Sequence, residues 1–123
     1  MQYIIAPIGE STTEFRLDSS YLAQQLRHHW PGVEVRETNP GNGQPNTSWA
    51  ISITNCHLIG DYWQDDGTIL LDASNHEAAD FALWYRTMIP IDQRIWIFDD
   101  LGNHSPYEIQ AQTLKESIVK ALT

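Results

Sequence analysis

The segment from Trp49 to Ala73 constrains the fold most, because apolar and polar residues alternate in three short successive runs, WAISIT, HLIGDYWQ and TILLDA. A period of two is typical of strands with one buried face. Asp65-Asp66-Gly67 separates the last two runs, and an Asp-Gly pair favours the positive φ angles of a tight hairpin turn. The segment therefore predicts three antiparallel strands, with Trp49, Ile51 and Ile53 on one face.

A helix is predicted on each side of this meander. Asp18 or Ser19 is suited to cap the first helix, which continues to about residue 29. Ser74 and Glu77 form a capping box that opens the second, over residues 75–88, and Pro90 marks its end. The apolar positions recur at helical spacing. They are Leu22, Leu26 and Trp30 in the first helix, and Ala78, Phe81, Ala82, Tyr85 and Ile89 in the second.

Strands are also predicted at residues 2–6, 33–37 and 94–98. A second capping box runs from Ser105 to Glu108, with Pro106 at the first helical position, and it predicts that the last helix begins there. The strand at residues 94–98 is apolar on both sides, which favours a central position covered on both faces.

The order of elements is β-α-β-β-β-β-α-β-α, which predicts an α+β fold in one domain over residues 1–123. About six strands would pack with three helices. The sheet should be mixed but mostly antiparallel, because helical crossovers normally join parallel strands.

The charge balance excludes one class of ligand. Asp and Glu number 16 against 7 Lys and Arg, giving a formal net charge of −9. Nucleic acid requires a basic surface, so it is not expected as a partner. The charge suits a basic protein partner, or it serves solubility alone. Cys56 is the only cysteine, and the chain shows neither a signal-peptide pattern nor an apolar run of membrane-spanning length, so we expect a cytoplasmic location without membrane contact.

The best catalytic candidates are Asp99 and His104. Adjacent acids follow the apolar strand, and a histidine lies close behind them. In an extended chain Asp99 and Asp100 would point to opposite faces and could not share an ion. The alternative is that the chain turns here, since residues 99–106 are rich in turn formers and would feed a helix N-terminus. We favour the turn.

No metal site or cofactor is predicted. His28 and His29 are adjacent near a helix end and project about 100° apart, so they do not readily bind one ion. No histidine or cysteine spacing matches a zinc site. Cys56 and His57 are neighbours at a strand entrance and point apart, so the cysteine is interpreted as a small apolar filler.

The opening IIAPIGEST resembles the start of deoxyribosyltransferase-like and TIR-like nucleotide enzymes over fewer than ten residues. The resemblance implies that Gly9, Ser11 and Thr12 offer donors to a small polar ligand. Those families continue as alternating parallel α/β chains, whereas this chain enters an antiparallel meander. A plain surface loop is the alternative.

Five tryptophans exceed what a small core readily buries. Trp63 lies beside Asp65 and Asp66, and Leu83 and Trp84 extend the apolar arc of the second helix beyond one face. These five residues are the predicted binding surface, because tryptophan is enriched in protein interfaces. A homodimer through this helix or the exposed face of the meander is also predicted.

Two functions follow. The first is a non-enzymatic protein-binding module that takes a basic partner; such a small acidic α+β protein resembles the immunity proteins that neutralise basic toxins. The second is a small hydrolytic or nucleotide-handling enzyme that uses Asp99 and His104. Because catalytic motifs are missing from the sequence, we favour the binding module.

Overall fold

The computed structural model describes residues 1–7, 15–38, 43–53 and 56–123. Over these ranges the chain forms one seven-stranded sheet and three α-helices, which confirms the α+β class with one strand more than predicted. The strands are β1 (Gln2–Ala6), β2 (Glu34–Glu37), β3 (Thr47–Ile53), β4 (Cys56–Trp63), β5 (Thr68–Asp72), β6 (Ile95–Asp99) and β7 (Tyr107–Ile109). The helices are α1 (Ser19–His29), α2 (Asn75–Arg86) and α3 (Lys115–Ala121).

The sheet order is β2-β3-β4-β5-β1-β6-β7, and every neighbouring pair is antiparallel. The predicted parallel neighbours were therefore wrong. The α2 crossover does return the chain in the direction of β5, as helical crossovers do. However, β1 lies between β5 and β6 and runs against both of them. The strands β5 and β6 are therefore parallel to each other but are not neighbours, because β1 separates them.

The helix starts follow local capping. The Asp18 carboxylate accepts the amide of Tyr21 at 3.0 Å and caps α1. The predicted capping box of α2 is complete, because Ser74 accepts the Glu77 amide and Glu77 accepts the Ser74 amide. The helix ends at Arg86, slightly earlier than predicted, and residues 87–89 continue as tight turns.

The β4–β5 hairpin forms where it was predicted, with a longer turn. Trp63 pairs with Thr68, so four residues make the connection. Gly67 has φ 73°, and its amide donates to the carbonyl of Trp63. Glycine is suited to this position because it adopts positive φ without steric cost.

The second capping box does not start a helix, so that prediction was wrong. Residues Tyr107–Ile109 instead form β7, which pairs with β6. The pairing buries Ile109 and gives Glu108 a two-pronged ion pair with Arg94, at 2.8 and 3.1 Å. These non-local contacts outweigh a local capping pattern. The last helix, α3, begins only at Lys115.

All three helices pack on one face of the sheet. Phe81 on α2 stacks on Trp49 of β3, with ring centroids 5.4 Å apart. Trp30, at the end of α1, stacks on the same phenylalanine at 5.9 Å. The α3 residue Ile118 is buried in the same core, beside α2. None of the helices described for this chain is long and apolar enough to cross a membrane.

Candidate functional site

The structure brings Asp99 and His104 together in a closed loop. Asp99 is 2% exposed and continues the buried face of Ile95 and Ile97. Its carboxylate accepts the backbone amides of Asn103 and His104, at 3.2 and 3.3 Å. The His104 ring lies 3.8 Å from that carboxylate through Nδ1, and 3.0 Å from the carbonyl of Thr123 through Nε2.

These contacts match a turn more closely than an acid–base centre. The carboxylate is enclosed and bonded to backbone amides, and the imidazole joins the loop to the chain after α3. Asp100 is exposed in the turn, so the adjacent acids do not share a site. Over the described ranges, no group of three or more His, Cys, Asp or Glu side chains could hold a metal ion.

Cys56 is half-buried and has a polar partner, which its interpretation as a small apolar filler did not include. Burial, followed by the charge and hydrogen bond of Glu77, raises the pKa of the thiol. The same glutamate accepts the amide of His57 at 2.6 Å. These effects disfavour the thiolate, which is the nucleophilic form of cysteine. Gly9, Ser11 and Thr12, the predicted donor set, lie outside the described residues.

The other face of the sheet carries a surface of which only the exposed face of the meander and Trp63 were predicted from the sequence. We call it the open face, because the three helices pack on the opposite side. Its side chains alternate with those of the core, as strand geometry requires. Its apolar members are Ile4, Ala6, Ala50, Ile59, Trp63, Leu70, Trp96 and Phe98, and its charged members are Glu34, Arg36, Asp61, Asp72, Arg94 and Glu108.

Strand pairing makes the apolar part of the open face continuous. Leu70, Ile4 and Phe98 stand side by side on β5, β1 and β6. Ile59, on β4, is 44% exposed. Trp96 is next to Ala6, and the guanidinium of Arg94 lies 4.7 Å from the centre of its ring. The expectation that the strand at residues 94–98 is covered on both faces was wrong, because Trp96 and Phe98 are only half-buried.

Acidic side chains border this apolar row. Asp61 is next to Leu70 in the adjacent strand and accepts the hydroxyl of Ser48 at 2.7 Å. Asp72 is next to Ile59 and lies 3.7 Å from the amino group of Met1. The arrangement presents apolar groups together with carboxylates that face solvent at least in part.

The five predicted binding residues fall in two places. Trp63 is on the open face, where its indole donates to the carbonyl of Gly43 at 2.9 Å. Asp65 and Asp66 are exposed in the turn that follows it. Leu83 and Trp84 belong to α2, in the helical layer on the opposite side. The alternating side chains of residues 57–63 indicate that this strand has an exposed face, but only the pairing of the strands shows which other strands extend that face.

Trp84 is half-buried and packs against other aromatic rings of the chain. Its ring centroid lies 4.8 Å from that of Trp30, 5.4 Å from Phe81 and 5.3 Å from His29. Leu83 is half-buried beside Ile91.

Comparison of the chain with models of protein families, with curated proteins and with solved structures gave no match.

Proposed function

We propose that this chain is a protein-binding module without catalytic activity, and that it binds a basic partner through the open face. The observation that carries the proposal is the continuous apolar row of β5, β1 and β6, bordered by Asp61 and Asp72. Contiguous apolar surface with a polar border is typical of interaction sites. An acidic module that covers a basic surface would act as an inhibitor of its partner, as an immunity protein does.

Charge favours a basic occupant. The chain has a net charge of −9, and the open face carries four carboxylates, those of Glu34, Asp61, Asp72 and Glu108, against the two arginines Arg36 and Arg94. Complementary charge speeds encounter and rejects partners of the same sign. The apolar row supplies the area that leaves water on binding, which gives most of the affinity. A cytoplasmic location remains part of this proposal.

The experiment compares two charge reversals of equal size. Asp72→Lys changes the open face, whereas Glu116→Lys changes the exposed surface of α3 in the helical layer. Proteins captured from the native host extract by the wild type are identified, purified and titrated against both variants. A basic protein whose binding weakens about tenfold or more in Asp72→Lys, and is unchanged in Glu116→Lys, supports the proposal.

Two results would contradict it. One is a partner that binds equally well to both variants, because its contact would then lie outside the open face. The other is an acidic partner whose binding strengthens in Asp72→Lys. Both variants should unfold at nearly the wild-type denaturant concentration, since both positions are exposed.

A further inference from the structure

A groove lies between the end of α2, residues 90–93 and the segment after β7. It consists of two adjoining hollows of about 220 and 210 Å³, whose walls share Arg86, Ile91, Gln110 and Ala111. We call it the α2–β7 groove. Binding of a ligand in this groove would not require the open face to bind a partner.

Arg86 is the unusual residue of this groove, because an arginine that is only 6% exposed carries a buried charge. Its guanidinium donates to the carbonyls of Gln93, Pro90 and Ile91 at 2.9, 3.1 and 3.2 Å. Its Nε atom is buried without a hydrogen-bond partner, and within the described ranges no carboxylate forms an ion pair with it. Burying a charge is costly unless it is closely paired, so a bound anion beside Arg86 would be stabilised.

The first hollow has more cationic than anionic groups. Arg86 and Arg94 are in its wall, and Glu108 is its one carboxylate. Glu108 is held by Arg94 at 2.8 Å and also attracts the charge of Arg86, so one carboxylate is shared between two guanidinium groups. The side chains of Gln110 and Gln112 lie in the same wall; the Gln112 amide donates to the Gln110 amide oxygen at 3.0 Å, and each amide has a further N–H group to donate. A locally positive hollow stands out in a chain whose net charge is −9.

The second hollow is mainly apolar. Leu83, Ile89 and Ala111 form much of its wall. Ile91 belongs to both hollows and is 81% exposed, the highest value among the exposed large apolar residues of the described chain. A concave apolar surface with a few polar groups at one end is typical of a small-molecule site.

We propose that the α2–β7 groove binds a small organic carboxylate that carries an apolar chain. The carboxylate lies in the first hollow beside Arg86, Gln110 and Gln112, and the apolar chain lies along Ile91 and Leu83. The two hollows together select for both parts of such a ligand. A bare inorganic anion would leave the apolar hollow unfilled, and a neutral apolar molecule would leave Arg86 and Arg94 to share the one carboxylate of Glu108.

Three probes separate these contributions. Hexanoate has both parts, acetate has only the carboxylate and 1-hexanol has only the chain. Each is titrated into the ¹⁵N-labelled protein at constant ionic strength, and backbone shifts are followed by NMR. Saturable shifts at residues 86, 91 and 110–112 are expected with hexanoate, with binding at least about tenfold weaker for the other two. Equal responses to all three probes, or hexanoate shifts that lie elsewhere, would overturn the proposal.

A matched pair of variants tests the charge. Gln112→Glu adds a negative charge to the first hollow at an exposed position, and Gln44→Glu makes the same change in the exposed segment before β3. Hexanoate affinity should fall about tenfold or more in the first variant and stay unchanged in the second, because like charges repel. Wild-type affinity in Gln112→Glu would show that the hollow does not hold the carboxylate, and the proposal would fail.

Discussion

The indole ring of Trp49 lies over the backbone of Gly60, in the space that a β-carbon at position 60 would occupy. The two residues face each other on β3 and β4. Trp49 is also held from the other side by its stack on Phe81, so the ring has little room to retreat. The absence of a side chain at Gly60 therefore allows this tryptophan to lie flat in the core.

Gly60→Ala should destabilise the protein by about 1–3 kcal/mol, the usual cost of overpacking a core. The cause is steric, since Gly60 is not among the glycines with positive φ. Urea unfolding measures the change. In a Trp49→Phe background the same substitution should cost less, because a smaller ring leaves space; an equal cost in both backgrounds would contradict the explanation.

Ser74 and Ser105 have the same local pattern and should respond differently to alanine. Ser74→Ala should cost about 0.5–2 kcal/mol, because its hydroxyl accepts the first-turn amide of Glu77. Ser105→Ala should change stability by less than about 0.5 kcal/mol, because Ser105 is exposed and lies before a strand. Denaturant melts of both variants give the comparison. A larger loss of stability in Ser105→Ala than in Ser74→Ala would contradict this explanation and favour the helix that the sequence pattern predicts at residue 105.

The two serines also show how much of this fold can be predicted from the sequence. Capping and hairpin signals are local, so the starts of α1 and α2 and the β4–β5 hairpin were predicted near their true positions. The last capping box failed because Glu108 and Ile109 make better contacts with β6. Such contacts join residues far apart in sequence, and no local window contains them.

The candidate sites also combine features that the local sequence predicts with features that depend on contacts between distant residues. The turn at Asp99 was predictable from its composition, but its bonds to residues 103 and 104 were not. The open face depends on β1 lying between β5 and β6, which no sequence period indicates. Arg86 is a single arginine in a helical pattern, and nothing in the sequence marks it as buried.

Cys56 should react slowly with iodoacetamide at neutral pH, because burial and then Glu77 raise the pKa of its thiol. Glu77→Gln removes the negative charge, so it should lower this pKa and speed alkylation at pH 7. The difference should shrink at higher pH, where both thiols ionise. Mass spectrometry of timed samples measures the rates. An unchanged rate in Glu77→Gln would show that the glutamate does not control the thiol.

Glu77 should also make stability depend on pH. Burial opposes its ionisation, but hydrogen bonds from His57, Ser74 and Cys56 outweigh that effect and lower the pKa of the carboxyl. A lowered folded-state pKa gives stability that is present above the unfolded-state pKa and is lost as pH falls through the folded-state value. Glu77→Gln should therefore be less stable than the wild type at pH 7, and the gap should narrow in acid. A constant gap across this range would refute the assignment.

Asp99→Ala should destabilise the loop after β6 by about 1–3 kcal/mol, because two backbone amides lose a buried acceptor. Asp100→Ala should cost less than about 0.5 kcal/mol, since Asp100 is exposed. Hydrogen exchange at residues 103 and 104 should rise in the first variant alone. Equal effects of the two substitutions would count against the closed-loop interpretation.

The homodimer predicted from the sequence is tested by sedimentation equilibrium at low and high salt. Trp84 is half-buried and packs against Trp30, Phe81 and His29, so less of it remains for a second chain to cover. The other predicted contact is the exposed face of the meander, which is part of the open face. Two chains of charge −9 repel, so a dimer should strengthen when salt screens that repulsion. Ile59→Asp should weaken it by placing a charge among apolar groups, and a wild-type protein that stays monomeric at tens of micromolar in both buffers would refute the dimer.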